Sequence, residues 1–352
     1  MGSNERINVG VIGLGVGESH LKNYLSNPRC KVIGICDQND EVLTVAKNKY
    51  PGLTYYSNAS ELLFNDQIDA VSIASYDHNH YEQIVTGIRN RKHLLVEKPI
   101  VTEKDHFLHI KELLEKNSDL IFTSNLVLRK TERFLDLKNR FLNGDFGQIS
   151  FINAAYNYGR FSKLTDGWRN EIENYSVILG GGIHLIDLIL WLTGDHIVKV
   201  FAKSNRIHGK DTGFLYDDLV TATMEMQSGA IFNLTCNFGN VSPHFHQLEI
   251  YGTNQSFMNR YDYAEIFKKR DVKNGNFRYI DAKPEFPTYD GSEKVYSTYK
   301  NSDKGSFIDD FINAIDGKPS NLVTRDEMFE AIKIAFAIDE SRKIKQEISL
   351  KI

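Results

Sequence analysis

Cysteine is scarce: three residues in 352, at Cys30, Cys36 and Cys236. The count is odd and the spacing matches neither a disulfide framework nor a zinc motif, so reduced thiols are expected. An excess of charge is also missing. Lys and Arg number 42 against 46 Asp and Glu, a formal net charge of −4, and no like-charge block reaches five residues. That pattern argues against a nucleic-acid partner. Long apolar runs are few. The longest, residues 177–194, carries His184 and Asp187 near its middle and three glycines early on. It is expected to be a buried helix, and no membrane partner is expected. The opening residues hold no apolar signal core and no Arg-rich amphipathic stretch, so the cytoplasm is the expected location. Internal repeats, a P-loop and a nucleophile elbow are all absent.

What is present fits a folded chain of about two domains. Hydrophobic residues make up 41% and charged residues 25%. Compact apolar runs at 7–12, 31–36, 70–74, 93–96 and 120–123 alternate with helical stretches at 19–27, 40–50, 81–90 and 102–117. Thr102 and Asp105 form a candidate capping pair for the last helix. Near-continuous apolar strands suit a sheet covered on both faces. The alternation predicts an α/β chain that opens with a Rossmann doubly wound parallel sheet.

Ligands bind such sheets outside the carboxyl ends of the strands. The first end supplies Gly13, Gly15 and Gly17. Gly13 suits a tight turn, Gly15 a backbone close to a pyrophosphate, and the helix that follows offers free N–H groups to the anion. Asp37 stands 22 residues after Gly15, near the spacing of a carboxylate that binds an adenosine ribose. It would repel a 2′-phosphate, so NAD is expected over NADP. The third glycine of the motif would fall at Glu18, and Gly17 comes one residue early. The other ends supply Ser75 with Asp77, then Glu97-Lys98-Pro99, then Asn125. The cofactor-binding set read from these ends is Gly13, Gly15, Val16, Gly17, Asp37, Ser75, His80, Glu97 and Lys98. Lys98 could also stabilise a developing alkoxide.

After residue 125 the composition turns to β. A linking helix is expected at 128–143, and strands at 149–158, 219–226, 230–238, 246–251 and 294–299. Helices at 305–316 and 325–345 close the chain, and residues 271–291 are expected to form a surface excursion. The fold class is thus a Rossmann sheet over 1–125, followed over 126–352 by an α+β domain with a large, mostly antiparallel open sheet. Gly180-Gly181-Gly182 leads into the apolar helix, on which His184, Asp187 and Trp191 share a face. His184 could act as a general base or be a core histidine paired with Asp187. Tyr158, Arg160, Lys163, Trp168 and Arg169 gather aromatic and basic groups suited to a sugar or an acidic substrate, or else are solvated loop residues. His78 with His80, and His244 with His246, mimic metal pairs but have no further ligand at a recognised spacing, so no metal is expected.

The glycine loop, Cys36-Asp37, Glu97-Lys98-Pro99 and Gly182-Ile-His184-Leu-Ile-Asp187 together resemble the glucose–fructose oxidoreductase / inositol dehydrogenase (Gfo/Idh/MocA) family over essentially the whole chain. The resemblance implies NAD-dependent hydride transfer at a secondary hydroxyl of a sugar, polyol or nucleotide-sugar. It implies Lys98 and His184 as catalytic residues and Asn125 in the substrate pocket. The substrate set becomes Asn125, Tyr158, Arg160, Lys163, Trp168, Arg169 and Asp187. A homodimer or homotetramer, built through the open sheet of the second domain, is also implied. The family further admits NAD-dependent glycoside hydrolases, and a non-catalytic dinucleotide sensor is a third reading. Many members carry an Asp four residues before the histidine, where this chain has Gly180.

Overall fold

The computed structural model describes residues 6–261, 263–268, 292–295 and 304–351. The first sheet is six-stranded and wholly parallel, ordered β3-β2-β1-β4-β5-β6. Its strands are β1 (Ile7–Ile12), β2 (Cys30–Cys36), β3 (Thr54–Tyr56), β4 (Ala70–Ile73), β5 (His93–Val96) and β6 (Phe122–Ser124). Between them run α1 (Gly17–Ser26), α2 (Asp40–Lys49), α3 (Ala59–Phe64), α4 (His80–Arg89) and α5 (Lys104–Lys116). All four residues of β4 are buried, as strands covered on both faces require. The order reverses between β1 and β4, and the crevice there is where such sheets take their ligands.

Two short elements of this first part were not expected, and in the second part neither were the strands at 197–205, 255–259, 264–268 and 348–349. β3 has three residues and α3 six, too few for periodicity to register. The Thr102–Asp105 pair does not cap α5. That helix starts at Lys104 behind Glu103, which makes no side-chain cap bond. The final helix instead carries a capping box, Thr324 with Glu327.

The second part runs through α6 (Glu132–Leu142), β7 (Ile149–Asn157), α7 (Ser162–Thr165), α8 (Ile183–Thr193), β8 (Ile197–Asn205), β9 (Leu219–Met226), β10 (Ile231–Asn237), β11 (Phe245–Gly252), β12 (Gln255–Asn259), β13 (Ala264–Lys268), β14 (Ser292–Val295), α9 (Lys304–Ile315), α10 (Arg325–Ile344) and β15 (Ile348–Ser349). Among the described residues the sheet has nine strands, ordered β14-β13-β12-β11-β7-β10-β9-β8-β15, antiparallel except where β7 lies parallel to β10. The expected surface excursion, and residues 296–299 of the last expected strand, lie outside the described residues. Strands alternate in burial, as in β7, where Ile152, Ala154 and Tyr156 face inward. The inner face packs under α8 and α10. The helix α8 is buried almost all round and ends at Gly194 in the left-handed conformation. No helix of the described residues is long and apolar enough to cross a membrane.

Candidate active site

The loop between β1 and α1 is shaped by its glycines. Gly13 has φ +84°, and a side chain there would run into the Ala74 backbone. Nothing lies within 4 Å of where a Cβ on Gly15 would stand, so its backbone can be approached closely. Gly17 seats α1 on the sheet: a Cβ there would meet Ala74 Cβ at 3.0 Å and Val11 at 3.2 Å. That is the packing task of the motif's third glycine, done one residue early. Glu18 instead accepts hydrogen bonds from Lys49 and Tyr50, which hold its carboxyl down at about 2. Val16 precedes α1 half-exposed and supplies no side-chain cap, so the first amides of the helix remain open to an anion. Asp37 accepts from the Leu14 amide at 2.8 Å and the Asn39 amide at 2.9 Å, tying the glycine loop to the end of β2. These residues fit a dinucleotide: open backbone beside Gly15, uncapped helix amides, and a carboxylate beyond them.

The other strand ends converge on the same edge. Ser75 donates to Gln83 at 2.7 Å. Glu97 receives Asn125 at 2.6 Å and lies 3.2 Å from His20 Nε2. Burial alone would raise the Glu97 carboxyl, but the hydrogen bonds from His20 and Asn125 and the Lys98 charge hold it at about 2. It is therefore an anion at neutral pH. Asn125 thus joins Glu97 and His20 in one hydrogen-bonded network. Lys98 reaches across to the second part of the chain, and its Nζ donates to the Gly180 carbonyl at 2.9 Å. Burial pushes this ammonium below its usual value, while Asp77 and Glu97 oppose the shift. Burial raises the Asp77 carboxyl, against the pull of His80, Lys98 and Arg169.

The opposite wall is built on α8 and the sheet beneath it. Residues Ile178–Gly182 form a wide π-turn leading into the helix. Gly181 and Gly182 let it sit against the Tyr156 ring and the Cys236 sulfur, where a Cβ on either would lie 2.5 Å away. His184 follows, 7% exposed, and its Nδ1 has no hydrogen-bond partner among the described residues. Burial, then the charge of Lys98 and the neighbouring His246 and His244, push it well below the usual histidine range. It is neutral at pH 7. The His246 ring lies 5.9 Å from it and the Tyr156 ring 6.5 Å. His246 pairs with Tyr156 across β11 and β7, on the inner face. Burial lowers His246 to about 3 and His244 to about 4. Among the described residues no group of three or more His, Cys, Asp or Glu is arranged to hold a metal ion.

The predicted aromatic and basic cluster divides. Trp168 stacks on Tyr76 at 5.0 Å, bridging the end of β4 to the second part. Arg169 lies over the Trp168 ring at 4.3 Å, and its charge acts on the nearby Tyr175 phenol. Tyr158 stacks on Tyr156 and packs against Phe238 and His244. Arg160 is exposed, 5.9 Å over the Tyr158 ring. Lys163 is exposed on α7, and no contact ties it to the group.

Two expected roles are corrected by geometry. Asp187 does not pair with His184 and has no surface for a substrate. It is fully buried, and both its oxygens are taken by Arg129, at 2.9 and 2.6 Å. His80 is also fully buried. Its Nδ1 donates to the Pro99 carbonyl at 2.7 Å, and its Nε2 lies 3.2 Å from the Ser75 carbonyl. It pins two strand ends together and has no face left for a cofactor. Sequence reasoning missed His20, Tyr175, His244 and His246 as members of the site. The alternation of His244 and His246 was the available signal, since it places both on one face of a strand.

Residues 7–125 match the family described as "Oxidoreductase family, NAD-binding Rossmann fold", and residues 134–258 match the GFO/IDH/MocA C-terminal domain. Inositol 2-dehydrogenase 2 of Saccharopolyspora erythraea is 25% identical over 217 residues, 59% of this chain and 62% of that one. The match thus spans under two thirds of that relative's length. The crystal structure of myo-inositol 2-dehydrogenase from Lactobacillus plantarum superposes with a TM-score of 0.78 at 22% identity, covering 99% of this chain and 100% of that one. Scyllo-inositol dehydrogenase from Lactobacillus casei, solved with NAD(H) and scyllo-inositol, gives 0.75 at 20% identity, with 98% and 99% covered. At these identities the structural likeness establishes the fold.

Proposed function

The chain belongs to the Gfo/Idh/MocA oxidoreductase family, and on that premise we propose that it moves a hydride reversibly between NAD and a secondary hydroxyl of a polyol or sugar. The observation that carries this reading is the meeting of Lys98 with the Gly180 carbonyl beside a neutral, buried His184. The named relatives favour a polyol.

Lys98 gives one of its three N–H bonds to Gly180 and keeps two for a substrate oxygen. Its positive charge stabilises the alkoxide that forms as the hydroxyl loses its proton. His184, buried beside Lys98 and neutral, is set to accept that proton. NAD, when bound, supplies the acceptor for the hydride leaving the same carbon. Glu97, held as an anion, balances the Lys98 charge. Asp37 at the ribose end favours NAD over NADP.

The test is NADH formation over a panel of inositols, sugars and nucleotide-sugars. Turnover of at least one member is expected, and NAD binding without any turnover would overturn the reading. Replacing Lys98 by Ala should lower kcat at least about 100-fold with NAD binding kept. Full activity in that variant would remove Lys98 from the mechanism. We also propose a homodimer or homotetramer through the outer face of the nine-stranded sheet. Supporting this, Phe201, Ile231 and the stacked Phe151–Tyr251 pair stand there at least partly exposed. A monomer by light scattering at micromolar concentration would contradict it.

A further inference from the structure

In the Gly180–Gly182 triplet, Gly180 is the glycine whose missing side chain is replaced by a polar atom. A Cβ there would run into the Tyr175 hydroxyl, while Gly181 faces the Tyr156 ring and Gly182 the Cys236 sulfur. The Tyr175 oxygen stands from that Cβ position about as far as an aspartate's carboxylate oxygen stands from its own Cβ, about 2.4 Å from covalent bond lengths. The phenol comes from the segment that runs directly into the π-turn, is 4% exposed, and lies within reach of the Arg169 charge. The same Gly180 offers its carbonyl to Lys98. One glycine thus meets the tyrosine hydroxyl on its Cα side and the lysine ammonium on its carbonyl side.

We propose that Tyr175 is a positioning residue that places, beside Gly180, the oxygen an acidic side chain at position 180 would place there, and so pins the π-turn that aims the Gly180 carbonyl at Lys98. The inference rests on the dehydrogenase reading for its kinetic consequences and on geometry alone for its structural ones. The replacement is neutral. Burial raises the phenol above its ordinary value, so it stays protonated through the working range. The charged and titratable groups around Lys98 are Asp77 and Glu97 from the strand ends, Arg169 from the turn before Tyr175, His184 from α8, and His244 and His246 from the β11 side. A carboxylate at position 180 would add a third anion to this set, and the phenol does not. Lys98 therefore sheds its proton at lower pH than it would beside an aspartate.

The first test needs neither cofactor nor substrate. Gly180→Asp, Tyr175→Ala and the double variant are compared by thermal melting of the apo-protein. Gly180→Asp should lower Tm in the wild-type background and lower it by less than half as much where Tyr175 is Ala. Equal losses in both backgrounds would overturn the proposal. If Tyr175→Ala does not fold, the same cycle uses Tyr175→Phe with Gly180→Ala, since the ring then recedes to its nearest carbon, 3.0 Å from the Cβ. The second test is kinetic. Tyr175→Phe should lower kcat about tenfold with KM for NAD unchanged. The double variant Gly180→Asp/Tyr175→Ala should exceed Tyr175→Ala in kcat and carry its alkaline limb of kcat/KM to higher pH. A Tyr175→Phe enzyme with unchanged kcat, or an alkaline limb that stays in place, would overturn the proposal. A protein without turnover on any substrate fails the dehydrogenase reading and still reports on Tyr175 through the melting cycle.

Discussion

Asp37 and Glu97 are carboxylates at the ends of strands β2 and β5, and their partners set different tasks for them. Asp37 spends an oxygen on each of two backbone amides and so shapes the glycine loop, and the proposal gives it the ribose as well. Asp37→Ala should raise KM for NAD by roughly tenfold or more, since charge-assisted hydrogen bonds are lost. Asp37→Asn keeps an acceptor for the loop and loses the charge. It should hold KM for NAD nearer to wild type while narrowing the preference over NADP. Steady-state kinetics with both cofactors separate the two effects, and an unchanged cofactor ratio in both variants would contradict the assignment. Glu97 is held anionic by donors and sits against Lys98. The pH profile follows from the proposed base and the lysine. His184 must be neutral to accept a proton, and its value lies well below 6.5, so kcat/KM should stay flat as pH falls through 6.5 and drop only further into acid. Lys98 must be charged, and its value lies below 10.5, so the alkaline limb should come before that pH. An acid limb centred at 6.5 would contradict the buried, neutral histidine.

At the scale of elements, α8 shows how far helical spacing can be read. The sequence placed His184 and Asp187 on one face of one helix, and they are there. Spacing could not show which partner each would meet. Arg129 arrives from the turn before α6, takes both oxygens of Asp187, and also reaches Glu327 at the start of α10 at 2.8 Å. The carboxylate therefore locks α8 to two other elements. Asp187→Asn should destabilise the fold by up to about 3 kcal/mol, because a buried guanidinium loses one of its two charge partners and keeps Glu327. The position of the kcat/KM acid limb should not move, which a carboxylate acting on His184 would not allow. Gly181→Ala tests the seat of the same helix. Its Cβ would lie 2.5 Å from the Tyr156 ring, so about 1–3 kcal/mol of stability should be lost in denaturant titration. A neutral effect would mean that the π-turn can shift away from β7 at little cost.

At the scale of the whole molecule, the two sheets are joined by more than the linking helix. The chain's last helices return to the first sheet. Asn27 on the α1 side donates to Asp309 of α9 at 2.7 Å, and Arg29 donates to Asn313 at 2.8 Å. Arg325, at the start of α10, donates to the Leu114 carbonyl at 2.9 Å, and Thr123 donates to the Val323 carbonyl at 3.0 Å. The cleft that holds Lys98 and His184 is thus braced on both sides. The buried histidines also tie stability to pH. His246 at about 3 and His244 at about 4 lie below the 6.5 of an unfolded histidine. Their folded values are depressed, so the unfolded chain binds protons first as pH falls. Between pH 6.5 and 5, stability should fall by up to about 1.4 kcal/mol per pH unit for each such histidine. Melting curves across that window should show a falling Tm, with a shallower fall in His246→Gln. A flat Tm would show that these rings titrate normally in the fold.

The amino-acid sequence by itself determined the parallel sheet, the glycine loop with its carboxylate, and the edge on which Lys98 stands. Each is a local pattern: apolar runs of strand length, a turn that needs glycine, a lysine directly after a strand. It also carried Gly17 in a task one residue out of register, since close packing depends on a missing Cβ and tolerates a small shift along the helix. Only the tertiary structure decided that Asp187 serves Arg129, that His80 is a clasp between strand ends, and that His244 and His246 line the wall around His184. Those outcomes depend on which groups the fold brings together, side chains tens of residues away for Asp187 and His184 and two strand-end carbonyls for His80. Asp187 is fully buried with both oxygens turned to one guanidinium, and so it faces away from the histidine one turn back on its own helix.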